Sequence, residues 1–179
     1  MAQASTPVRL LHKMGLGIGL GGTLFGLIAL NPSVARISDK RERGRVLNEA
    51  WARFQTVNLP AALSTVLGWR LGGVREDAEL RAPGLTRAKD LLLGGAVVNT
   101  VASALLGATV ASRAPEGFTP VRSGNKPAPE TPSDAASALR LLRFFSNGSV
   151  ALLAASVVVS GLIEAAEPKP RGLLSRSLD

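Results

Sequence analysis

The chain has no cysteine and no tyrosine, and its 179 residues include a single histidine, His12. The absence of cysteine excludes disulfides, thiolate metal ligands, iron–sulfur ligation and thiol nucleophiles. With one histidine, a histidine-based metal site or a serine–histidine relay within one chain is not expected. The composition therefore predicts no metal site and no cofactor, and it favours a non-catalytic protein without deciding the question.

Aromatic residues are scarce as well, with five Phe and two Trp, although the formal net charge is +8. A basic chain can neutralise nucleic-acid phosphates, but no aromatic platform for base stacking accompanies the charge here. Lys and Arg lie at the edges of apolar stretches and in the connecting loops, where membrane proteins place them against lipid headgroups. We therefore expect no nucleic-acid partner.

Formal charge is missing from four long stretches, residues 14–35, 54–69, 91–112 and 144–163. A bilayer core is crossed by about 20 apolar residues of helix, with about 17 to 25 usual. The sequence therefore predicts an integral membrane protein in contact with the lipid bilayer, in a bacterial plasma membrane. The predicted fold is all-α, a four-helix membrane bundle with spans near 14–35, 50–70, 90–112 and 139–164 in one domain, residues 1–168. Residues 169–179 are predicted to form a disordered basic tail.

The connections between these spans also carry signals. Pro32 is expected to end the first helix, because the residue before a proline is pushed out of the helical region. The charged segment 38–53 has apolar residues at helical spacing and is expected to be a short surface helix that runs into the second span. Residues 70–90 read as a loop with a turn at Pro83-Gly84, and residues 114–133, with five prolines, as a flexible loop exposed to water.

Small residues at a spacing of four predict close helix packing in the first and third spans. The packing positions are Gly15, Gly19, Gly22 and Gly26 in the first span, and Ala96, Thr100 and Ala104 in the third. The first span also holds Gly17 and Gly21, so it is expected to lie inside the bundle or at the interface of an oligomer. This pattern predicts a homo-oligomer or a larger membrane complex.

Each predicted span carries one asparagine, and alternating helices bring three of them to the same depth. Asn31, Asn58 and Asn147 fall on the side of the first and third loops, whereas Asn99 lies near mid-membrane. One hypothesis is a polar pocket open to that side, because polar groups in hydrocarbon need a partner or a watery cavity. Its rim would consist of Trp51, Arg53, Arg143 and Phe144. The alternative is that the amides only tie helices together, each contributing about 0.6 to 2 kcal/mol.

A short internal similarity links the second and fourth spans. Residues 53–58 read RFQTVN and residues 143–147 read RFFSN. This similarity is consistent with two similar helical hairpins related by an axis along the membrane normal, as in parallel transporter repeats.

The glycine-rich first helix ending in Asn31-Pro32, the polar helical segment with Trp51 and the small-residue third helix resemble a known group. It comprises the small bacterial and fungal four-helix membrane proteins around the anthrone oxygenases. Its characterised members act on aromatic polyketides without metal or flavin, which the resemblance would extend to this chain. The chain departs from such an activity in having no tyrosine and no histidine near the predicted pocket.

Three functions are compatible with these patterns. The preferred one is a non-catalytic subunit or scaffold of a membrane complex. The alternative is a cofactor-free membrane oxygenase, or a small enzyme or binder of hydrophobic ligands, that uses the asparagine pocket. The third is a minimal transporter component, which is disfavoured because the interior of every predicted span lacks a titratable carboxylate or lysine.

Overall fold

A computed structural model describes residues 4–113 and 118–166 of the chain. Within these residues the chain forms five helices and one small β-hairpin. The helices are α1 (Thr6–Arg36), α2 (Lys40–Arg70), α3 (Val74–Arg81), α4 (Pro83–Ser112) and α5 (Ser133–Ala165). The hairpin consists of β1 (Val121–Ser123) and β2 (Lys126–Pro127). The predicted disordered tail at 169–179 lies outside the described residues.

Three of the helices, α1, α4 and α5, are long and apolar enough to cross a membrane. The prediction of a mainly helical chain with apolar helices of membrane length is confirmed for these three. Helix α2 is not among them. Its first half carries the acids and bases of residues 40–53, and its charge-free part, residues 54–69, is short and contains Gln55 and Asn58.

Helix α1 continues past Pro32, so the prediction that this proline ends the first helix was wrong. The Gly26–Leu30 segment forms a π-helical turn, in which the Asn31 amide donates to the Gly26 carbonyl five residues back. An α-helical turn would drive the proline ring into the carbonyl of Ile28, and the wider turn relieves that contact. The helix then runs on to Arg36, with Val34–Arg36 in the 3₁₀ form.

Helix α2 begins ten residues before the predicted second span and merges that span with the expected surface helix. Its start is capped by Asp39, whose carboxylate accepts hydrogen bonds from the amides of Arg41 at 2.7 Å and Glu42 at 2.9 Å. These bonds hold the pKa of Asp39 below its ordinary value, since they stabilise the charged form. Pro60 lies inside the helix without breaking it.

The long helices pack as two antiparallel hairpins. Helix α1 packs on α2, α4 packs on α5, and the two pairs meet mainly through α1 and α5. By these closest backbone contacts the helices follow one another in the order α2, α1, α5, α4. We call the contact between α1 and α5 the seam.

Two predicted loops contain structure. Residues 70–90 include helix α3. The residue before it, Gly73, has a left-handed backbone conformation (φ 76°). Pro83 begins α4 where a turn was expected. In the segment expected to be a flexible exposed loop, the described residues include the β-hairpin, with Val121 opposite Pro127. Val121 is buried with Val34, Leu47 and Leu139. An apolar contact at this end of the bundle therefore orders the segment despite its prolines.

Candidate functional site

A buried polar cluster lies where α1 and α4 begin and α2 and α5 end. Its centre is formed by His12 of α1, Trp69 of α2 and Lys89 of α4, each 2 % exposed or less. Helix α3 covers the cluster, with Val74 and Ala78 lining the same space. The alternation of helix direction brings these residues together, because each lies near the same end of its helix.

The lysine is held between an imidazole and an indole ring. His12 Nδ1 is 2.7 Å from the Thr65 carbonyl oxygen, and His12 Nε2 is 2.8 Å from Lys89 Nζ. Because a carbonyl only accepts, Nδ1 carries the proton and Nε2 accepts from the ammonium group. Lys89 Nζ also lies 4.1 Å from the Trp69 ring centre, and His12 stacks on that ring at 5.6 Å. Neutral groups therefore surround the ammonium on this side.

A carboxylate and a guanidinium orient the indole. Trp69 Nε1 donates to Asp90 Oδ1 at 2.9 Å, and Arg75 Nε donates to Asp90 Oδ2 at 2.9 Å. The bond to Asp90 raises the pKa of Arg75 above its ordinary value, because it stabilises the charged guanidinium. Asp90 is therefore engaged with Trp69 and Arg75.

Two further ion pairs hold the surrounding helices. Asp77 of α3 accepts from the Ala4 amide at 2.9 Å and pairs with Arg9 of α1. Lys13 of α1 pairs with Glu164 of α5 at 2.9 Å, across the seam. Both carboxylates thus have a basic or amide partner of their own.

These residues enclose a cavity of about 200 Å³, which we call the His12 cavity. Its charged lining consists of Arg9, Lys13, Arg81 and Lys89 against Asp77 and Glu164. The apolar part of the wall is formed by Trp69, Val74, Ala78 and Ile163. Basic groups outnumber acidic groups, so the arrangement is chemically suited to an anion that also touches apolar surface.

The residues predicted to line an asparagine pocket lie in several separate places. Asn31 is buried against Gly124, its carbonyl accepts from Ser123 Oγ at 3.0 Å, and its side-chain oxygen has no hydrogen-bond partner within the described structure. Asn58 donates to Gln55 of its own helix at 3.1 Å. Asn99 donates to the Phe145 carbonyl at 3.2 Å and so links α4 to α5.

The other predicted pocket residues divide in the same way. Arg143, Phe144 and Asn147 line a second, more open cavity of about 320 Å³, the Asn147 cavity, together with Asn125, Lys126, Pro127 and Arg140. Trp51 instead packs on α1 at Gly26, and Arg53 has a side chain that is 80 % exposed and paired with Glu49. Arg53 follows Trp51 by two residues, so the helical turn points the two side chains in different directions.

The predicted packing residues of α1 contact neighbouring helices. A Cβ placed on Gly15 would lie 2.3 Å from the Ala61 carbonyl oxygen, and one on Gly22 would lie 2.0 Å from the Phe54 ring. The corresponding distances are 2.3 Å for Gly26 to the Trp51 ring and 3.5 Å for Gly19 to Leu153 of α5. In α4, Ala96 is buried, Thr100 donates to the Ala96 carbonyl, and Ala104 is exposed.

The His12 cavity was not predicted from the sequence. Lys89 was not singled out, and the single histidine, His12, was not expected to form a metal site or a serine–histidine relay. The signal was nevertheless present, because the same alternation that was applied to the asparagines also brings His12, Trp69 and Lys89 to one end.

Comparison with protein-family models, with curated proteins and with solved structures finds no match for this chain. The resemblance to the anthrone oxygenases therefore stays a prediction.

Proposed function

We propose that this chain is a non-catalytic subunit of a complex in the bacterial plasma membrane. It associates with further copies of itself through the outer face of α1. The observation that carries the proposal is the pair Gly17 and Gly21. A Cβ placed on either glycine would have no atom within 4 Å, whereas residues of α2 occupy the space beside Gly15, Gly22 and Gly26. Two glycines four apart on an open face are the pattern that lets a second helix approach closely in a membrane.

The surroundings of this glycine pair support a contact within lipid. Leu10, Met14 and Ile28 are 56 %, 52 % and 74 % exposed. At about 100° per residue, these side chains fall on the same side of α1 as the glycines. The face is therefore apolar along its length with a shallow groove at its centre, which suits a helix of the same kind.

We further propose that α2 is a fourth span, so that the fold is a four-helix membrane bundle. Helix α2 follows α1 from Ala61, opposite Gly15, to Trp51, opposite Gly26. That contact covers about 16 Å of helix at about 1.5 Å per residue, roughly half of a hydrocarbon core. If α1 crosses the bilayer, the second half of α2 lies at the same depth, and snorkelling by Arg53 and Arg70 extends its usable length.

The topology is testable because the wild-type chain has no cysteine. The variant Ser38→Cys places one thiol in the exposed connection before α2, and the variant Leu80→Cys places one in the exposed connection after it. With four spans, a membrane-impermeant maleimide labels only one of the two variants in intact cells, and the other after permeabilisation. If α2 lay on the surface, three spans would put both thiols on the same side, so equal labelling of both variants contradicts the proposal.

The association is tested by filling the groove on α1. Gly17→Leu combined with Gly21→Leu is expected to convert the oligomer to a monomer, because the branched side chains hold the second helix away. Gly94→Leu is the matched control, since Gly94 of α4 is also exposed with no atom within 4 Å of a Cβ.

The measurement is the protein mass in mild detergent, determined by light scattering, together with cross-linking in native membranes. We expect the wild type and the Gly94→Leu variant to form the same oligomer and the double variant to be monomeric and folded. A wild type that is monomeric in both measurements, or a double variant that keeps the oligomer, would refute the proposal.

A further inference from the structure

The wall of the His12 cavity contains a buried basic group, Lys89, whose closest polar neighbours, His12 and Trp69, carry no opposing charge. Among the described residues, no carboxylate lies within ion-pair distance of Lys89 Nζ. A buried ammonium group is strongly unfavourable unless it is paired or well hydrogen-bonded. We propose that the His12 cavity is a binding site for a phosphate group, and that Lys89 is its principal contact.

The hydrogen bonds of Lys89 leave capacity for such a ligand. An ammonium group has three donors. One points to His12 Nε2 at 2.8 Å, and the Trp69 ring covers a second direction at 4.1 Å. Lys89 is also part of the cavity wall. The remaining donor capacity is therefore available to a group in the cavity.

The neighbouring acids make no ion pair with Lys89, although Glu164 attracts it from a longer distance. Asp77 is engaged by the Ala4 amide and Arg9, and Glu164 is engaged by Lys13. Asp90 is engaged by Trp69 and Arg75. Since each carboxylate has its own partner, an anion from outside the chain is the group that Lys89 lacks.

Phosphate fits the charge and the place better than a carboxylate does. Besides Lys89, the cavity wall holds Arg9, Lys13 and Arg81. A basic group that already pairs with a carboxylate keeps further N–H donors, so a tetrahedral anion with several oxygens can contact more than one of these side chains at once. The cavity lies at the ends of the long helices, where lipid headgroups meet a membrane protein, and basic pockets between such helices bind anionic headgroups. A phospholipid headgroup and a free phosphate share this chemistry. The phosphate site does not depend on the proposed association through α1, because that association uses the outer face of α1 and needs no ligand.

The binding experiment uses the purified full chain in a non-ionic detergent and isothermal titration calorimetry. Three probes are titrated: inorganic phosphate, dihexanoyl phosphatidic acid and acetate at equal ionic strength. We expect at least one of the two phosphate-bearing probes to bind with a stoichiometry of one molecule per chain. Acetate is expected to bind at least about tenfold more weakly. Binding of inorganic phosphate assigns the site to free phosphate compounds, and binding of the lipid alone assigns it to a headgroup. Acetate binding as tight as either, or no saturable binding of any probe, would overturn the proposal.

Three variants locate the site. Lys89→Met keeps the unbranched apolar part of the side chain and removes the charged nitrogen, and it is expected to raise the Kd about tenfold or more. Lys126→Met is the matched control, because it removes the same charge from the Asn147 cavity at the other end of the bundle. Ser160→Leu tests occupancy without a change of charge, since Ser160 lines the His12 cavity and a larger apolar side chain there is compatible with a membrane-length helix.

The last two variants keep the test decisive if Lys89→Met fails to fold. The proposal predicts that Ser160→Leu weakens binding and that Lys126→Met leaves it unchanged. Equal binding by the wild type and the Ser160→Leu variant, or a loss caused by Lys126→Met, would place the anion elsewhere and refute the assignment.

Discussion

Gly15→Ala is expected to destabilise the protein more than any other single-methyl addition in α1. The new Cβ would lie 2.3 Å from the Ala61 carbonyl oxygen and 2.2 Å from Thr65 Oγ1. The carbonyl belongs to the backbone of α2, so no side-chain rotation relieves the clash and the two helices must separate. Overpacking of this kind costs about 1 to 3 kcal/mol, and a backbone contact belongs at the upper end of that range. Unfolding of the detergent-solubilised protein by increasing amounts of SDS measures the loss.

Two other glycines grade this prediction. In Gly22→Ala the added methyl meets the end of the Phe54 ring, which can turn away, so a smaller loss is expected. In Gly94→Ala the methyl meets no atom within 4 Å, and the better helix propensity of alanine makes a small gain the expected result. An equal effect of all three substitutions would show that α1 and α2 do not pack as described.

Val101→Arg is expected to remove much of the protein from the membrane. Val101 lies near the middle of the charge-free stretch of α4 and is 54 % exposed, so its side chain faces whatever surrounds the helix. If that is hydrocarbon, an arginine at this depth costs about 2.5 to 3.5 kcal/mol on insertion scales. The amount of protein in carbonate-washed membranes, relative to wild type, is the measurement.

The matched control for this variant is Leu80→Arg. Leu80 belongs to α3 and is 78 % exposed, so the same substitution there adds a charge to a polar connection. We expect wild-type levels of this variant in the membrane fraction. Comparable losses from both substitutions would indicate a general effect of arginine on production, and comparable retention would mean that α4 does not face lipid.

The helices that hydropathy alone defines were predictable, since charges such as Arg113 and Lys89 fall near the limits of the charge-free stretches. Helix limits were not. The start of α2 at Lys40 depends on the Asp39 cap, and the continuation of α1 depends on a π turn before Pro32. The β-hairpin was missed because proline content pointed to a loop, whereas the burial of Val121 against Leu47 and Leu139 decides its structure.

The site was harder to predict than the fold because it depends on the direction of side chains. Counting depth along alternating helices places Asn31, Asn58 and Asn147 at one level with Arg53 at the rim, but depth does not say which way each residue faces. Arg53 points outward to Glu49, and Asn147 lines a cavity with residues of the β-hairpin. The same reasoning at the other end of the bundle would have found His12 and Lys89, and their burial between helices was not visible in the sequence.

The seam has a consequence for the order of assembly. Each helical hairpin joins segments that are close in the chain, whereas the seam joins Lys13 to Glu164 and Gly19 to Leu153. Local pairing precedes contacts between distant segments, since the latter carry a larger loop-closure cost. The His12 cavity therefore exists only after the two hairpins have docked. A molecule that binds there stabilises the docked state, and the added free energy grows with the logarithm of the ligand concentration once this exceeds the Kd. Such a ligand would therefore favour the last step of folding.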